Sequence, residues 1–207
     1  KKGFIITINP FFYICLMQNK LLIYCPKITP RHQYIFKVLL NELYFIEYSL
    51  TDDKEAYITS DFVKINYSKN SICADEVLVE SNGLLSEKGI NELDIQIQLV
   101  NGEPAFFIAT NKNAYPFDIF ATSFYLISRY EEYLPHLKDK YNRYKAEESL
   151  AYKHRFLQKP IVNIWLKQFI HQLQSQFPNL IIQYPKFKYI STIDIDNAYL
   201  YKGKGFI

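Results

Sequence analysis

Residues 21–51 read "LLIYCPKITPRHQYIFKVLLNELYFIEYSLT", in which a short apolar run, a helical pattern and a second strand-like run follow one another within about thirty residues. No other stretch restricts the fold as much. Thr29 can accept a hydrogen bond from a free amide at the start of a helix, and Pro30 suits the first helical position, where a missing N–H costs nothing. Ile35, Val38, Leu39 and Leu43 then recur on one face, which predicts a helix over 29–43. Residues 45–51 alternate as a half-buried strand does. Strand, helix and strand in this order put the chain in the α/β (mixed α+β) class, with a mixed sheet expected.

The middle of the chain adds strand patterns at 63–68, 76–80, 93–100 and 105–110. "LDIQIQLV" alternates strictly, and Asn101-Gly102 is a strong two-residue hairpin signal, so 93–100 should pair with 105–110. The second half turns helical. Asp118 is placed to cap a helix over 119–134, which Pro135 ends; a short helix is expected around 146–152. Ile161, Trp165, Phe169, Leu173 and Phe177 recur every fourth residue, predicting a long helix over 160–177. "KFKYISTIDID" (186–196) reads as a last strand.

Composition excludes several classes. An apolar share of 49% and a charged share of 22% belong to a chain able to build a core, not to a disordered or disulfide-stapled one. The 18 Tyr and 16 Phe against 6 Gly are the unusual numbers. Cys15, Cys25 and Cys73 show no metal or disulfide spacing, so reduced, buried thiols are expected. A net charge of +3 gives no basic stripe for nucleic acid. "KKGFIITINPFFYICL" is shorter than the roughly 20 residues of a membrane span and lacks a signal-peptide cleavage site. Met17 is the single methionine. It is expected to be the natural start, with 1–16 a non-native upstream extension, and without a credible signal the expected location is cytoplasmic.

Three constellations bear on chemistry. Along a strand over 186–196, Thr192, Asp194 and Asp196 share one face, and two carboxylates about 7 Å apart are tolerable in water or beside a cation. The pair is either a solvated strand end or a divalent-metal and general-base pair. A calcium loop fails, because Tyr199 and Gly205 stand where Gly and Glu are required. His32, His136, His154 and His171 lie on different elements, never as H-x-x-x-H, and are expected at the surface or half-buried. Arg129, Glu131, Glu132 and Tyr133 could line a carbohydrate or partner groove; alternatively Phe120, Phe124 and Ile127 make a core face and Glu131 and Glu132 stay wet.

"STIDIDNA" (191–198) resembles the first motif of the polysaccharide deacetylase (NodB-homology) family. "KITPRHQYIF" (27–36), "PFDIFATSFYLISRYEEYLPH" (116–136), "ESLAYKHRFLQKPIV" (148–162) and "KYISTIDIDNAYLYKGKG" (188–205) look like the uncharacterised N-terminal domain that precedes such a deacetylase in bacteria of the Bacteroidetes type. The resemblance covers most of residues 20–207. It implies an accessory α/β domain over 17–185, then the first strand of an incomplete (β/α) deacetylase barrel over 186–207. By the same resemblance Asp194 is the catalytic base and Asp196 a ligand to a divalent metal, usually zinc, that helps cleave an amide bond of a polysaccharide or N-acetylated glycan. The metal's two histidines belong to a later H-x-x-x-H element absent from these residues, so the chain is expected to be catalytically silent as it stands. The alternative is a non-catalytic module that binds a glycan or a partner.

Overall fold

The computed structural model describes residues 20–194. Strands β1 (Lys20–Tyr24), β2 (Glu47–Thr51), β3 (Val63–Ser68) and β4 (Glu76–Glu80) form a four-stranded sheet in the order β2-β1-β3-β4, and every neighbouring pair is parallel. The α/β class holds, but the central sheet is not mixed. Antiparallel pairing is confined to the hairpin of β5 (Gln98–Val100) with β6 (Glu103–Ala105) and to two isolated bridges. The hairpin turns at Asn101-Gly102 as expected: φ is 51° at Asn101 and 81° at Gly102, the left-handed pair that a two-residue turn needs. Its strands are shorter than expected, because residues 93–97 keep the alternation of half-buried Leu93, Ile95 and Ile97 with exposed Asp94 and Gln96 but pair with no strand.

Helix α1 (Pro30–Phe36) begins at the expected cap, where the Thr29 hydroxyl accepts from the His32 amide and the His32 side chain answers the Thr29 amide. At Lys37 it loosens into a π-helix, Lys37–Glu42, closed by the Leu43 amide on the Val38 carbonyl. That wider winding moves Leu40 into the core and leaves Val38 and Leu43 only partly buried, unlike the straight-helix face over 29–43. A helix that periodicity did not reveal, α2 (Lys54–Thr59), is capped by Asp53, whose Oδ1 accepts from the Glu55 and Ala56 amides. It covers the opposite face of the sheet: Tyr57 packs on Tyr24 at 5.4 Å and donates to Glu76 at 3.0 Å.

Between β3 and β4 only residues 69–75 intervene, fewer than the dozen or so a parallel crossover normally uses. Glu76 holds this short loop. Its Oε1 accepts from Asn66, Ser71 and the Ile72 amide, and its Oε2 from Tyr57 and the Cys73 thiol. Burial alone would raise its pKa; these donors outweigh burial and hold the carboxyl below its usual range.

Helix α3 (Ile119–Ile127) starts at the expected cap, Asp118, but ends seven residues before Leu134. Arg129 adopts a left-handed backbone (φ 53°), and a 3-10 turn, Tyr130–Tyr133, follows. The short helix expected around 146–152 is a 3-10 turn, Ala146–Glu148, followed by α4 (Leu150–Lys153). Helix α5 (Ile161–Gln176) buries Ile161, Trp165, Phe169 and Leu173 as its period implied, whereas Phe177, the fifth residue of that series, stands at its C-cap and is only partly buried. The aromatic surplus is spent in this core. Phe36 meets Phe120 at 4.7 Å, Tyr115 meets Phe169 at 5.0 Å and Phe117 meets Trp165 at 5.5 Å, all edge to face, pairs that contribute about 0.5–1.5 kcal/mol each beyond their burial. The indole N–H of Trp165 donates to the Pro104 carbonyl at 3.0 Å.

Two further expectations need correction. Residues 186–194 form no strand: no described strand lies beside them to accept their backbone hydrogen bonds, so a barrel strand is not assembled there. Phe187 and Tyr189 stand 94% and 80% exposed. His32 is buried, unlike the surface or half-buried setting expected of all four histidines. Cys25 and Cys73 are free thiols as expected, but of the burial also expected of them only Cys25 has it; Cys73 is half-buried. Cys15, Met17, residues 1–16 and Asp196 lie outside the described residues. Among the described residues no helix is long and apolar enough to cross a membrane.

Candidate functional site

A hollow of about 660 Å³ lies where the end of α3, the 3-10 turn after it, the 144–160 segment and the start of α5 meet. Its apolar side is built by Leu126, Ile127, Phe156 and Ile161, and its polar rim by Arg129, Glu131, Glu132 and Tyr144. Val38 and Leu43, the residues released by the π-helix, close one wall. Arg129, Glu131 and Glu132 thus border a hollow, while Tyr133 is 71% exposed and is not part of the lining; the alternative core face also forms, with Phe120 and Phe124 buried and Ile127 partly so.

Local backbone geometry aims these groups. The Ser128 amide caps α3 on the Phe124 carbonyl, and the Arg129 amide closes on Leu126 at 3.1 Å. That left-handed corner turns the chain outward, so Glu131 and Glu132 leave the helix axis instead of continuing along it. Arg129 pairs with Glu132. Glu131 is half-buried and not wet as expected: Oε2 accepts from the Leu150 amide at 2.9 Å, and burial lifts its carboxyl above the usual range despite that bond and one to Tyr144. Tyr144 is pushed upward by burial and then by the neighbouring Glu131 charge.

A second hollow of about 540 Å³ adjoins the first through Leu157, which lines both; Tyr152, Arg155, Glu147 and Gln158 complete it. Tyr152 and Leu157 are each 50% exposed. Leu157 is thus a wall common to two neighbouring hollows, the first bordered by the Arg129–Glu132 pair and the second by the ring of Tyr152. Apolar walls can take the C–H faces of a ligand while the charged rim takes its hydroxyl and amide groups. Such a lining suits binding of an amphipathic chain.

The pair singled out by the sequence is elsewhere. Asp194 is exposed, in a segment without strand pairing, and Asp196 lies outside the described residues. No group of three His, Cys, Asp or Glu among the described residues converges as metal ligands would. The donors described at this place amount to one solvated carboxylate, short of the three protein ligands and a water that a catalytic zinc uses. They do not by themselves fit the metal, and no chemical step is drawn through it.

Sequence reasoning named Arg129, Glu131 and Glu132 but missed Tyr144, Tyr152 and Leu157. These come from an irregular stretch, 144–157, where no periodicity marks a common face. The chain matches no curated protein and no solved structure. A family model does match residues 21–178, well over half of the chain, from the first residues of β1 to just past α5. The chain therefore belongs to a family of unknown function, DUF7033.

Proposed function

We propose that this domain is a glycan-recognition module that serves a metal-dependent deacetylase of N-acetylated polysaccharide, binding the polymer without itself cleaving it. The observation that carries the reading is the pair of neighbouring hollows that share Leu157 and are lined by Arg129, Glu132 and exposed Tyr152. A linear polymer of rings fits two neighbouring hollows better than a compact cofactor does, because each ring offers an apolar face and a polar edge in succession. The family match ends at residue 178, and the segment after it carries Phe187, Tyr189, Ile190 and Ile193 exposed. Apolar side chains so placed support a segment that belongs to a following catalytic domain. In that domain Asp194 would be the base and Asp196 a ligand to a divalent metal, zinc.

The test is binding of N-acetylglucosamine oligomers to the full chain by calorimetry. Saturable binding that strengthens with oligomer length is expected. Tyr152→Ala and Arg129→Ala should each weaken it by about tenfold, the size of one lost stacking or charge-assisted contact. No binding by the folded protein, or binding indifferent to both substitutions, would remove the reading.

A further inference from the structure

A separate crevice of about 160 Å³ opens at the carboxyl end of the parallel sheet. The strand order places it. From β1 the chain leaves toward α1 on the core face, where Phe36 stacks on Tyr67; from β3 it leaves toward the opposite face, where the 69–75 loop folds back on Glu76 and Asn66. Neighbouring strands whose connections part in this way leave a gap between their ends, the place where open α/β sheets bind ligands. Lys27 and His32 reach the gap from the β1 side, Ser68 and Lys69 from β3, and Ser81 and Ser86 from the loop after β4.

The walls are fixed. The Thr29 hydroxyl donates to the Leu85 carbonyl at 2.6 Å, and Arg31 donates to the Leu84 carbonyl at 2.8 Å, which straps the loop after β4 to the start of α1. Below, Asp118 holds Tyr67 and the Asn82 amide at 2.8 and 2.7 Å. His32 is 2% exposed, and its Nδ1 accepts from the Thr29 amide at 3.2 Å. Thr29 Oγ1 also lies 2.7 Å from Nδ1, and burial and then the Lys27 charge push the imidazole down to about 4, so at neutral pH it is uncharged. Among the described residues Lys27 has no carboxylate in ion-pair range. Lys69 lies 3.6 Å from Glu80, whose carboxylate is already engaged by the Thr110 and Asn111 amides.

We propose that this crevice binds the phosphate group of a small phosphorylated ligand, with Lys27 and Lys69 at its mouth and the His32 ring and the Ser81 and Ser86 hydroxyls inside. The chemistry is selective in sign: the lining brings two lysines and the serine hydroxyls and no carboxylate. The size is selective too. Its volume is roughly five times that of a water molecule in the liquid, enough for a tetrahedral oxyanion and a few further atoms but below the range of whole cofactor pockets. The proposal concerns a different cavity from the two glycan hollows and stands independently of them.

Inorganic phosphate is the probe, titrated into the full chain at constant ionic strength while the His32 ring resonances are followed by NMR. A saturable shift at roughly millimolar phosphate is expected, with Lys27→Ala weakening it by about tenfold. Lys27 is exposed, so this variant keeps its fold, which a melting curve verifies. Acetate at the same concentration should move His32 little. A silent His32 in the folded protein, an equal response to acetate, or a Lys27→Ala titration matching the parent would each overturn the assignment.

Discussion

Asp118 shows how much one residue can hide from its sequence. Its role as a helix cap was legible, and Oδ1 does accept from the Ala121 amide at 2.9 Å. What no local pattern shows is its burial beneath Tyr67 and Asn82, partners 51 and 36 positions away. Burial, only partly offset by those donors, lifts its carboxyl to about 6. His32 is moved the other way, to about 4. The two act oppositely on stability. Asp118, raised, contributes stability below its unfolded value of 3.8 that is lost as pH rises toward 6; His32, lowered, contributes stability above 6.5 that is lost as pH falls toward 4. Across pH 4–6 they oppose each other. Asp118→Asn should therefore cost about 1–3 kcal/mol at neutral pH, because an amide N–H₂ meets two donors. Its melting temperature should also drop more steeply from pH 6.5 to 4 than that of the parent. Parallel melting curves for the two proteins over this interval would show that the carboxyl does not titrate there.

Elements were legible where their signals are local. Thr29 and Pro30 announced α1, Asn101-Gly102 announced the hairpin, and the four-residue spacing from Ile161 announced α5. Elements were missed or misjudged where a neighbour decides them. The π-helix after Phe36 breaks the 3.6-residue period that sequence reading assumes, and Arg129 ends α3 although Tyr130, Glu131 and Glu132 would all tolerate a helix. At the start of α1 an unusual arrangement replaces the acidic partner of a capping box: His32 occupies the third position. Thr29→Ala should lose both this cap and the bond to Leu85, lowering stability by about 1–2 kcal/mol in chemical denaturation, while Thr29→Ser should keep most of it. Equal losses from Ala and Ser would place the effect in the methyl group instead of the hydroxyl.

For the whole molecule, the class could be read from the order of patterns, but strand order could not, since a strand's neighbours depend on which way each crossover turns. The two hollows were half legible: their charged rim lies in one dense segment, whereas Tyr144, Tyr152 and Leu157 reach them only through the path of 144–157. The boundary of the packed unit follows from contacts. Tyr184 still stacks on Tyr44 at 5.9 Å, and beyond Pro185 the described side chains are exposed. Replacing exposed Phe187 and Tyr189 together by Ala should thus shift the melting temperature by less than about 2 °C, below the effect of 1 kcal/mol in a domain of this size. A larger loss would mean that these two rings contribute to the core.

The two margins of the sheet are unlike. On the outer side of β4 the Tyr115 amide bonds the Leu78 carbonyl at 2.7 Å, and the Thr110 and Asn111 amides hold Glu80. Among the described residues β2 pairs only with β1. Deuterium should enter the sheet from one direction, with the outward amides of β2 exchanging first and those of β3, bonded on both sides, surviving longest. Labelling read strand by strand would make the fold's asymmetry visible as a sequence in time, and simultaneous exchange of β2 and β3 would show that the sheet opens as one unit.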